Sequence, residues 1–402
     1  MLSLEDAQQR ILAALPPPVR ESVPIQAAAG RVLAEALHSP LDLPSFDNSA
    51  MDGYAVRAAD VVGASIGQPK QFRLVGHVAA GEEFAGELSA GTCIRLFTGS
   101  PLPRGADAVV MQEDTRTDAA TPDAVLVLDA VKPWENVRLR GEDVKRGSLI
   151  AATGARLTAG RVGLLAAVGL GEVRVARAPV VGLLATGSEL REAGEPLAPG
   201  QIIESNRVML APLLAAAGAT TRAYPLVPDT LEATLAALDR AFAECDMVVT
   251  SGGASVGEHD FVKQAFVALG GRQEFWKVAV KPGKPFVFGE WRGKFLFGLP
   301  GNPVSAFVTF LLLVRPALLR WQGVAETGLP SHPGALTEPL VNRGDRRHFM
   351  RVRVDATGSV RPAGPQASHR LGSLADANAL VDVPPETTLP AGATVAVLRW
   401  EV

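Results

Sequence analysis

Near the middle of the chain stands the segment Met247-Val248-Val249-Thr250-Ser251-Gly252-Gly253-Ala254-Ser255-Val256-Gly257-Glu258-His259-Asp260. It begins with apolar, strand-forming residues, and after it the apolar residues from Phe261 to Leu269 recur at helical spacing. This pattern predicts a strand, a loop rich in glycine and hydroxyl groups, and a helix capped by Asp260. Such a loop can direct several backbone N–H groups at a phosphate or another oxyanion. The candidate binding residues are Ser251, Gly252, Gly253 and Ser255.

The alternative is an ordinary tight turn in which Asp260 does nothing except cap the helix. Glu258 and Asp260 at the rim of the loop would repel a bare anion, but they suit a divalent cation that bridges to phosphate oxygens. A glycine loop is a weak motif when it stands alone. Its interpretation therefore depends on the rest of the chain.

Strand and helix patterns alternate from Pro179 to about residue 325, which predicts a doubly wound, largely parallel α/β domain. Ligands bind such sheets at the carboxyl ends of the strands. The predicted loops at that edge carry Glu189, Asp229 and Asp260, and clustered carboxylates can bind Mg²⁺. Each of the three could instead be a helix cap, but three at one sheet edge favour a site.

Two rigid turns follow in the same predicted domain. Lys281-Pro282-Gly283-Lys284-Pro285 holds two ammonium groups on a turn, and Leu299-Pro300-Gly301-Asn302-Pro303-Val304-Ser305 leads into a helix N-terminus. Both features favour an anion, although a solvated hairpin tip would also explain the lysines. The candidate binding residues are Lys281, Lys284, Pro300, Pro303 and Ser305.

The regions before and after this α/β part have a different sequence pattern. Residues 46–141 form short β-like runs between glycine turns, which predicts a small β-rich domain inserted into an elongated first domain. Polar turns around Asp52, Thr98 and Asp143 lie far from the α/β domain in sequence, so a site using both would lie between domains or subunits. After about residue 325 the pattern predicts a small β-barrel or sandwich. There Arg346 and Ser373 belong to basic, hydroxyl-bearing segments that could complete an anion pocket or form a solvated charged face.

Composition limits the possible functions. The chain has 402 residues, 39 basic against 42 acidic, and a net charge of -3, so it lacks the basic footprint of a nucleic-acid-binding protein. Cys93 and Cys245 offer neither a disulfide framework nor a cysteine-rich metal site. With no charged-then-apolar leader and no run of about 18 apolar residues, we expect a soluble cytoplasmic protein that does not engage a membrane.

Taken together and in order, these segments resemble the molybdopterin molybdenumtransferase family of the MoeA type, whose eukaryotic relatives include the E domain of gephyrin. The motifs are modest singly, but the ordered set is specific and covers nearly the whole chain. Ser188 is one departure, since many members carry Asp there, and its loss removes a possible second carboxylate beside Glu189.

The resemblance implies an elongated protomer with four domains: 1–45 together with 142–178, which dimerises; 46–141, β-rich; 179–325, α/β and molybdopterin-binding-like; and 326–402, a β-barrel. It implies that molybdate is inserted into adenylylated molybdopterin, with Mg²⁺-dependent hydrolysis and release of AMP. The active cleft would include groups from both chains of a homodimer. The implied catalytic residues are Asp52, Asp143, Glu189, Asp229 and Asp260, of which Glu189 and Asp260 bind the metal.

Two other functions stay open at this point. The first is a molybdopterin adenylyltransferase, because the predicted α/β domain resembles those smaller proteins; such an enzyme is also a possible partner. The second is a non-catalytic scaffold of the gephyrin type. The extra domains count against the first, and the intact acids and lysines count against the second.

Overall fold

The computed structural model of the chain describes residues 1–79, 81–253 and 261–400. Its accessible surface is 19245 Å², whereas a compact monomer of 42.1 kDa would expose about 15,000 Å². The excess surface is that of an extended protomer with several separate cores. The expected multidomain architecture of α/β and β parts is confirmed.

The chain begins with helix α1 (Leu4–Ala14), followed by strands β1 (Arg20–Pro24) and β2 (Leu37–His38). The Ser3 hydroxyl caps α1 by accepting the Asp6 N–H at 3.0 Å. The buried side of α1, which includes Ala7 and Ile11, packs into the same hydrophobic core as the long helix of the α/β region. Helix α1 therefore joins the N-terminal segment to the α/β core, and the assignment of residues 1–45 to the N-terminal domain stays a prediction.

The next region is the predicted β-rich block. Its main sheet has the strand order β7-β4-β6-β5-β9-β8, and β3 pairs with β10. The elements are β3 (Asn48–Ser49), β4 (Gly53–Val56), α2 (Ala58–Val61), β5 (Lys70–Val78), β6 (Thr92–Leu96), β7 (Ala108–Met111), β8 (Thr115–Asp118), β9 (Thr121–Val127) and β10 (Val137–Arg138).

The chain then returns to pair with its beginning through β11 (Leu149–Ala151), α3 (Ala159–Ala167) and β12 (Glu172–Ala176). β12 pairs antiparallel with β1, and β11 pairs with β2. Residues from both segments, among them Leu33, Leu165 and Val175, share one small core. The β-rich block therefore stands as an excursion between two paired segments, and the exact domain limits remain a proposal.

The α/β region is built on a sheet with the order β16-β13-β17-β21-β20-β18. The first four strands are parallel, and β20 and β18 are antiparallel. Its elements are β13 (Val180–Ala185), β14 (Leu190–Arg191), β15 (Ile202–Ile203), α4 (Asn206–Ala216), β16 (Thr220–Ala223), α5 (Leu231–Glu244), β17 (Met247–Ser251), α6 (Phe261–Ala268), β18 (Arg272–Lys277), β19 (Val280–Lys281), β20 (Pro285–Trp291), β21 (Lys294–Leu299), α7 (Pro303–Thr309) and α8 (Arg315–Trp321).

Helices cover both faces of this sheet, because successive strand residues point to opposite sides. Met247 and Val249 of β17 face a core shared with α1, α4, α7 and α8, while Val248 faces a core shared with α5 and α6. The predicted doubly wound, largely parallel arrangement is thus confirmed. The lysine turn lies in the segment that joins the antiparallel strands β18 and β20, where Lys277 is the register partner of Pro285. Within that segment Lys281 lies on β19, which pairs with a strand of the C-terminal barrel.

The C-terminal region closes a barrel in the order β24-β25-β22-β28-β26, with β26 pairing back to β24. This confirms the predicted β-barrel. Its elements are β22 (Ser331–Leu336), β23 (Leu340–Asn342), β24 (Arg347–Val354), β25 (Ser359–Pro362), α9 (Leu371–Ala375), β26 (Ala379–Val383), β27 (Thr387–Leu389) and β28 (Thr394–Arg399).

The long apolar helix 303–321 is the centre of the α/β core. It comprises α7, a π-helical turn at Phe310–Val314, and α8. With a mean hydropathy of 1.5 it is long and apolar enough to cross a membrane by length and composition, but 89% of it is buried inside the protein, as in the core helix of a globular domain. Pro316 has no N–H to donate to the carbonyl of Leu312, and Gln8 of α1 donates to that carbonyl at 2.8 Å.

We expect Gln8→Ala to lower the free energy of unfolding by about 1–2 kcal/mol, because it leaves a part-buried carbonyl without this donor. Gln9→Ala is the matched control, since Gln9 is the exposed neighbour on the same helix and should change stability little. Urea unfolding of both variants measures the difference. Equal stability of the two variants would show that the Gln8 contact contributes nothing.

Candidate active site

The parallel strands of the α/β sheet end together. Ala185, Ser251 and Leu299 are register partners at the ends of β13, β17 and β21. The loops that leave them surround a cavity of about 710 Å³. We call it the acidic lobe; of the predicted site residues it is lined by Glu189, Asp229, Ser251, Gly252, Gly253, Pro300 and Pro303.

Close backbone approach explains the glycines in the central loop. Gly252 and Gly253 have φ of +86° and +64°, which L side chains rarely adopt. A Cβ on Gly252 would lie 2.6 Å from the carbonyl oxygen of Thr186, and one on Gly253 would lie 2.4 Å from Val262. Ser255 and Asp260, the other candidates in this loop, lie outside the described residues.

Two carboxylates at the rim come from neighbouring loops. The Asp229 carboxylate accepts the Ser188 N–H at 3.0 Å, and the Ser188 hydroxyl accepts the Asp229 N–H at 2.9 Å. This reciprocal pair fixes the loop that carries Glu189, so Ser188, although not an acid, has a definite structural role.

The fit of Mg²⁺ to this lobe can be judged from the donors present. Across residues 1–79, 81–253 and 261–400, no three His, Cys, Asp or Glu side chains are grouped to hold a metal ion. Mg²⁺ needs less, because it is usually bound by one or two carboxylates together with water and substrate phosphates. Glu189 and Asp229 offer that minimal set.

Several polar side chains of the acidic lobe were not identified from sequence. Asn206, at the start of α4, donates to the Ser251 hydroxyl at 2.6 Å and to the Gly301 carbonyl at 2.7 Å, joining two loops. Glu204 is buried, and its carboxylate accepts from the N–H and Nε of Arg207. The signal that could have found them is the polar segment Glu204-Ser205-Asn206-Arg207 just before an apolar helix.

A second cavity, of about 770 Å³, adjoins the first, and Pro285, Asn302 and His369 line both. We call it the basic lobe, because Lys281, Lys284 and Arg346 line it. Both lysines are exposed, while Arg346 donates to the Val280 carbonyl at 2.8 Å. The predicted lysines and the predicted arginine therefore meet, although they come from different parts of the chain.

The first turn of α7 forms another side of the basic lobe through Ser305. Part of this helix N-terminus is already satisfied, since the Val304 N–H donates to the Ser368 carbonyl at 3.2 Å. Gly283 packs the lysine turn onto the same helix, and a Cβ there would lie 2.3 Å from Thr309. The turn and the helix are thus held in one fixed relation.

The barrel contributes His348, which the sequence did not single out, and a buried arginine that supports the neighbouring segment. Arg351 is fully buried, donates to Ser373 and to the carbonyls of Pro365 and Ala367, and keeps Nη1 without a partner among the described residues. Burial lowers the pKa of Arg351 to about 10. Ser373 lines neither cavity; instead it holds Arg351 under the 365–369 segment. His348 lines the basic lobe.

The remaining candidates lie in the β-rich block and just after it, and they line neither lobe of their own chain. Thr98 donates to the Asp52 carboxylate from its N–H at 2.8 Å and from its hydroxyl at 2.9 Å. The backbone hydrogen bond from Thr98, and then that of its side chain, lower the pKa of Asp52. Asp143 is exposed, and its N–H donates to the Leu43 carbonyl.

Comparison with family models covers nearly the whole chain. The model for the MoeA N-terminal region (domain I and II) matches residues 2–169. The model for a probable molybdopterin binding domain matches residues 182–320. The model for the MoeA C-terminal region (domain IV) matches residues 333–400.

Curated relatives carry one activity name. The molybdopterin molybdenumtransferase of Haemophilus influenzae is 39% identical over 99% of this chain and 98% of its own length. Molybdopterin molybdenumtransferase 2 of Mycobacterium tuberculosis is 40% identical over 93% of each chain. Among solved structures, the molybdopterin biosynthesis MoeA protein from Pyrococcus horikoshii matches with a TM-score of 0.82 and 30% identity over 100% of both chains.

These matches bear on the functions that the sequence left open. The relatives align over their N-terminal and C-terminal regions as well as over the α/β region. They carry the name of a transferase that acts in molybdenum insertion, which favours this function over an adenylyltransferase or a non-catalytic scaffold.

Proposed function

The chain belongs to the molybdopterin molybdenumtransferase (MoeA) family, and from this premise we propose that it inserts molybdate into adenylylated molybdopterin with Mg²⁺-dependent hydrolysis and release of AMP. The protein is a transferase of molybdenum cofactor biosynthesis. The details of substrate form, metal and released nucleotide are the part we propose.

One observation carries the proposal: two lobes of opposite character share a wall. The acidic lobe has the glycine loop and the carboxylates of Glu189 and Asp229, whereas the basic lobe has Lys281, Lys284 and Arg346. Molybdate, a small dianion, suits the basic lobe. A phosphate-bearing pterin with a divalent cation suits the acidic lobe. The shared wall would bring the dithiolene sulfurs of molybdopterin, which accept the molybdenum, next to the molybdate in the basic lobe.

Glu189 would hold Mg²⁺ with Asp229 nearby and, as the sequence predicts, with Asp260. When bound, the ion would offset negative charge on the phosphate oxygens of the adenylyl bond. Other residues of the protein position the loops that form the acidic lobe. Ser188 and Asp229 fix the loop of Glu189, and Asn206 ties the glycine loop to the loop of Gly301.

We also propose a cytoplasmic homodimer in which Asp52, Thr98 and Asp143 of one chain face the lobes of the other. Its support is that these side chains line neither lobe of their own chain, while the resemblance assigns them to the site. A molybdopterin adenylyltransferase is a reasonable partner, since it would supply the adenylylated substrate.

Lys284→Ala should weaken molybdate binding about tenfold to a hundredfold, because it removes one charge-assisted contact worth about 1.5–3 kcal/mol. At saturating molybdate, the rate of AMP release by the variant should approach that of the unchanged protein. At low molybdate it should stay well below. The measurement is AMP release from adenylylated molybdopterin against molybdate concentration. Ser305→Ala tests the opposite side of the lobe in the same assay.

Arg361→Ala is the matched control for charge, since Arg361 is an exposed cation of the barrel that lines neither lobe. Its molybdate dependence should equal that of the unchanged protein. If Lys284→Ala and Ser305→Ala also keep the normal molybdate dependence, molybdate does not bind in the basic lobe.

A further inference from the structure

The basic lobe contains a histidine to which the proposed function gives no task. His348 lies on β24, is 3% exposed, and lines the cavity beside Lys281, its register partner on β19. Its Nε2 is buried and has no hydrogen-bond partner in the described part of the chain. A buried ring nitrogen without a partner is costly, so this position is explained best by a ligand that completes it.

We propose that His348 is a further ligand of the oxyanion in the basic lobe, and that it takes up a proton as the anion binds. This inference rests on the proposed function, because it assumes that molybdate occupies the lobe. The chemical reason is that a protonated imidazole donates from both nitrogens. An oxyanion, which can only accept, is therefore a better partner for the charged ring than for the neutral one.

The surroundings of His348 keep it neutral when the lobe holds no anion. Burial, and then the charges of Lys281, Arg351 and Arg346, lower its pKa to about 4. Lys284 and His369 line the cavity from other segments. The register partner of His348 on β26 is Val383. The carboxylate of the neighbouring Asp382 accepts a hydrogen bond from Arg347. The ring is therefore surrounded by cations, and a bound dianion offsets part of their positive charge.

The sign of the effect follows from this added negative charge. A dianion favours the charged imidazole and raises its pKa in the complex. Proton uptake then contributes to affinity at pH values below the raised pKa, and the contribution is lost as pH rises through it.

The test is isothermal titration of the protein with sodium molybdate at about pH 6 and about pH 8, which bracket the ordinary range of histidine titration. At the lower pH the titration is run once in PIPES and once in bis-tris, two buffers with different ionisation enthalpies. The difference in apparent binding enthalpy between the two runs gives the number of protons taken up per molybdate. We expect uptake approaching one proton per molybdate at the lower pH. We expect affinity to fall by up to about tenfold per pH unit.

His348→Gln keeps an N–H donor near the place of Nε2 but cannot titrate. It should bind molybdate with no proton uptake and with an affinity that no longer depends on pH. His369→Gln is the matched control, since His369 lines the same cavity but is exposed; this variant should keep the uptake. If His348→Gln does not fold, the proton count of the unchanged protein and of His369→Gln still decides.

The outcomes separate the two levels of the argument. Tight molybdate binding without proton uptake in the unchanged protein would overturn the role of His348 and leave the proposed function standing. Uptake that survives in His348→Gln, or disappears in His369→Gln, would overturn it as well. If molybdate does not bind in the presence of Mg²⁺, both proposals fail.

Discussion

Replacing Glu189 by Gln should reduce Mg²⁺-dependent AMP release by about a hundredfold or more, because it removes a carboxylate that we propose as a metal ligand. Glu189 is exposed at the mouth of the acidic lobe, so the fold should be unaffected. The measurement is AMP release against Mg²⁺ concentration. Glu189→Gln should need a much higher Mg²⁺ concentration to reach half of its maximal rate of AMP release, and that maximal rate should also fall.

Glu232→Gln is the control for loss of one carboxylate in the same region. Glu232 lies in the first turn of α5, is exposed, and does not line the lobe. Its Mg²⁺ dependence should be normal. Near-normal turnover of Glu189→Gln at every Mg²⁺ concentration would remove Glu189 from the metal site.

The same assay applied to Asp260→Asn separates two roles of that residue. Asn caps a helix about as well as Asp, so thermal stability should change little, whereas AMP release should fall by orders of magnitude if the carboxylate shares the ion. Asp260 lies outside the described residues, and this expectation stands on the sequence alone. Normal turnover would mean that Asp260 is only a cap.

The second large effect concerns subunits. Asp52→Ala and Glu189→Gln should each abolish activity as homodimers, yet a mixture refolded or co-expressed in equal amounts should recover about a quarter of normal activity. The reason is geometric. If the β-rich block of one chain serves the lobes of the other, half of the dimers are mixed, and each mixed dimer has one site with both residues intact.

The controls are the two homodimers and direct measurement of mixed dimers by native mass spectrometry. Hydrogen bonds from Thr98 lower the pKa of Asp52, so Asp52 is a carboxylate at neutral pH and its loss removes a charge. Mixed dimers that form but show no activity would place Asp52 and the lobes of one site in the same chain.

Much of the α/β region could be predicted because its signals are local. The apolar run of β17, the glycine loop and the apolar spacing of α6 lie within about two dozen consecutive residues, and strand-helix alternation dictates a parallel sheet with loops at one edge. Close approach of the Gly252 backbone to Thr186 then follows from where those strands end. The lysine turn was visible for the same reason, since proline and glycine act on their own backbone.

Contacts between distant segments could not be predicted in this way. Nothing in the sequence of α1 indicates that Gln8 binds the carbonyl freed by Pro316, because that contact joins residues 304 positions apart. At the start of β24 the sequence offers a run of basic residues, and successive residues point to opposite sides of the chain. Arg346 and His348 reach the basic lobe, while Arg347 turns to Glu5 and Asp382.

The sequence by itself therefore determined the kinds of group in the site: glycines for close backbone approach, carboxylates, lysines on a stiff turn, and an order of motifs specific to one family. Only the tertiary structure decided which of them share a wall, that Ser373 supports Arg351, and that Asn206 and His348 belong to the lobes. The physical reason is that residue chemistry and backbone propensity are local properties. The burial of a side chain, the electrostatic field around it and the partners that it contacts depend on packing between segments that are far apart in the chain.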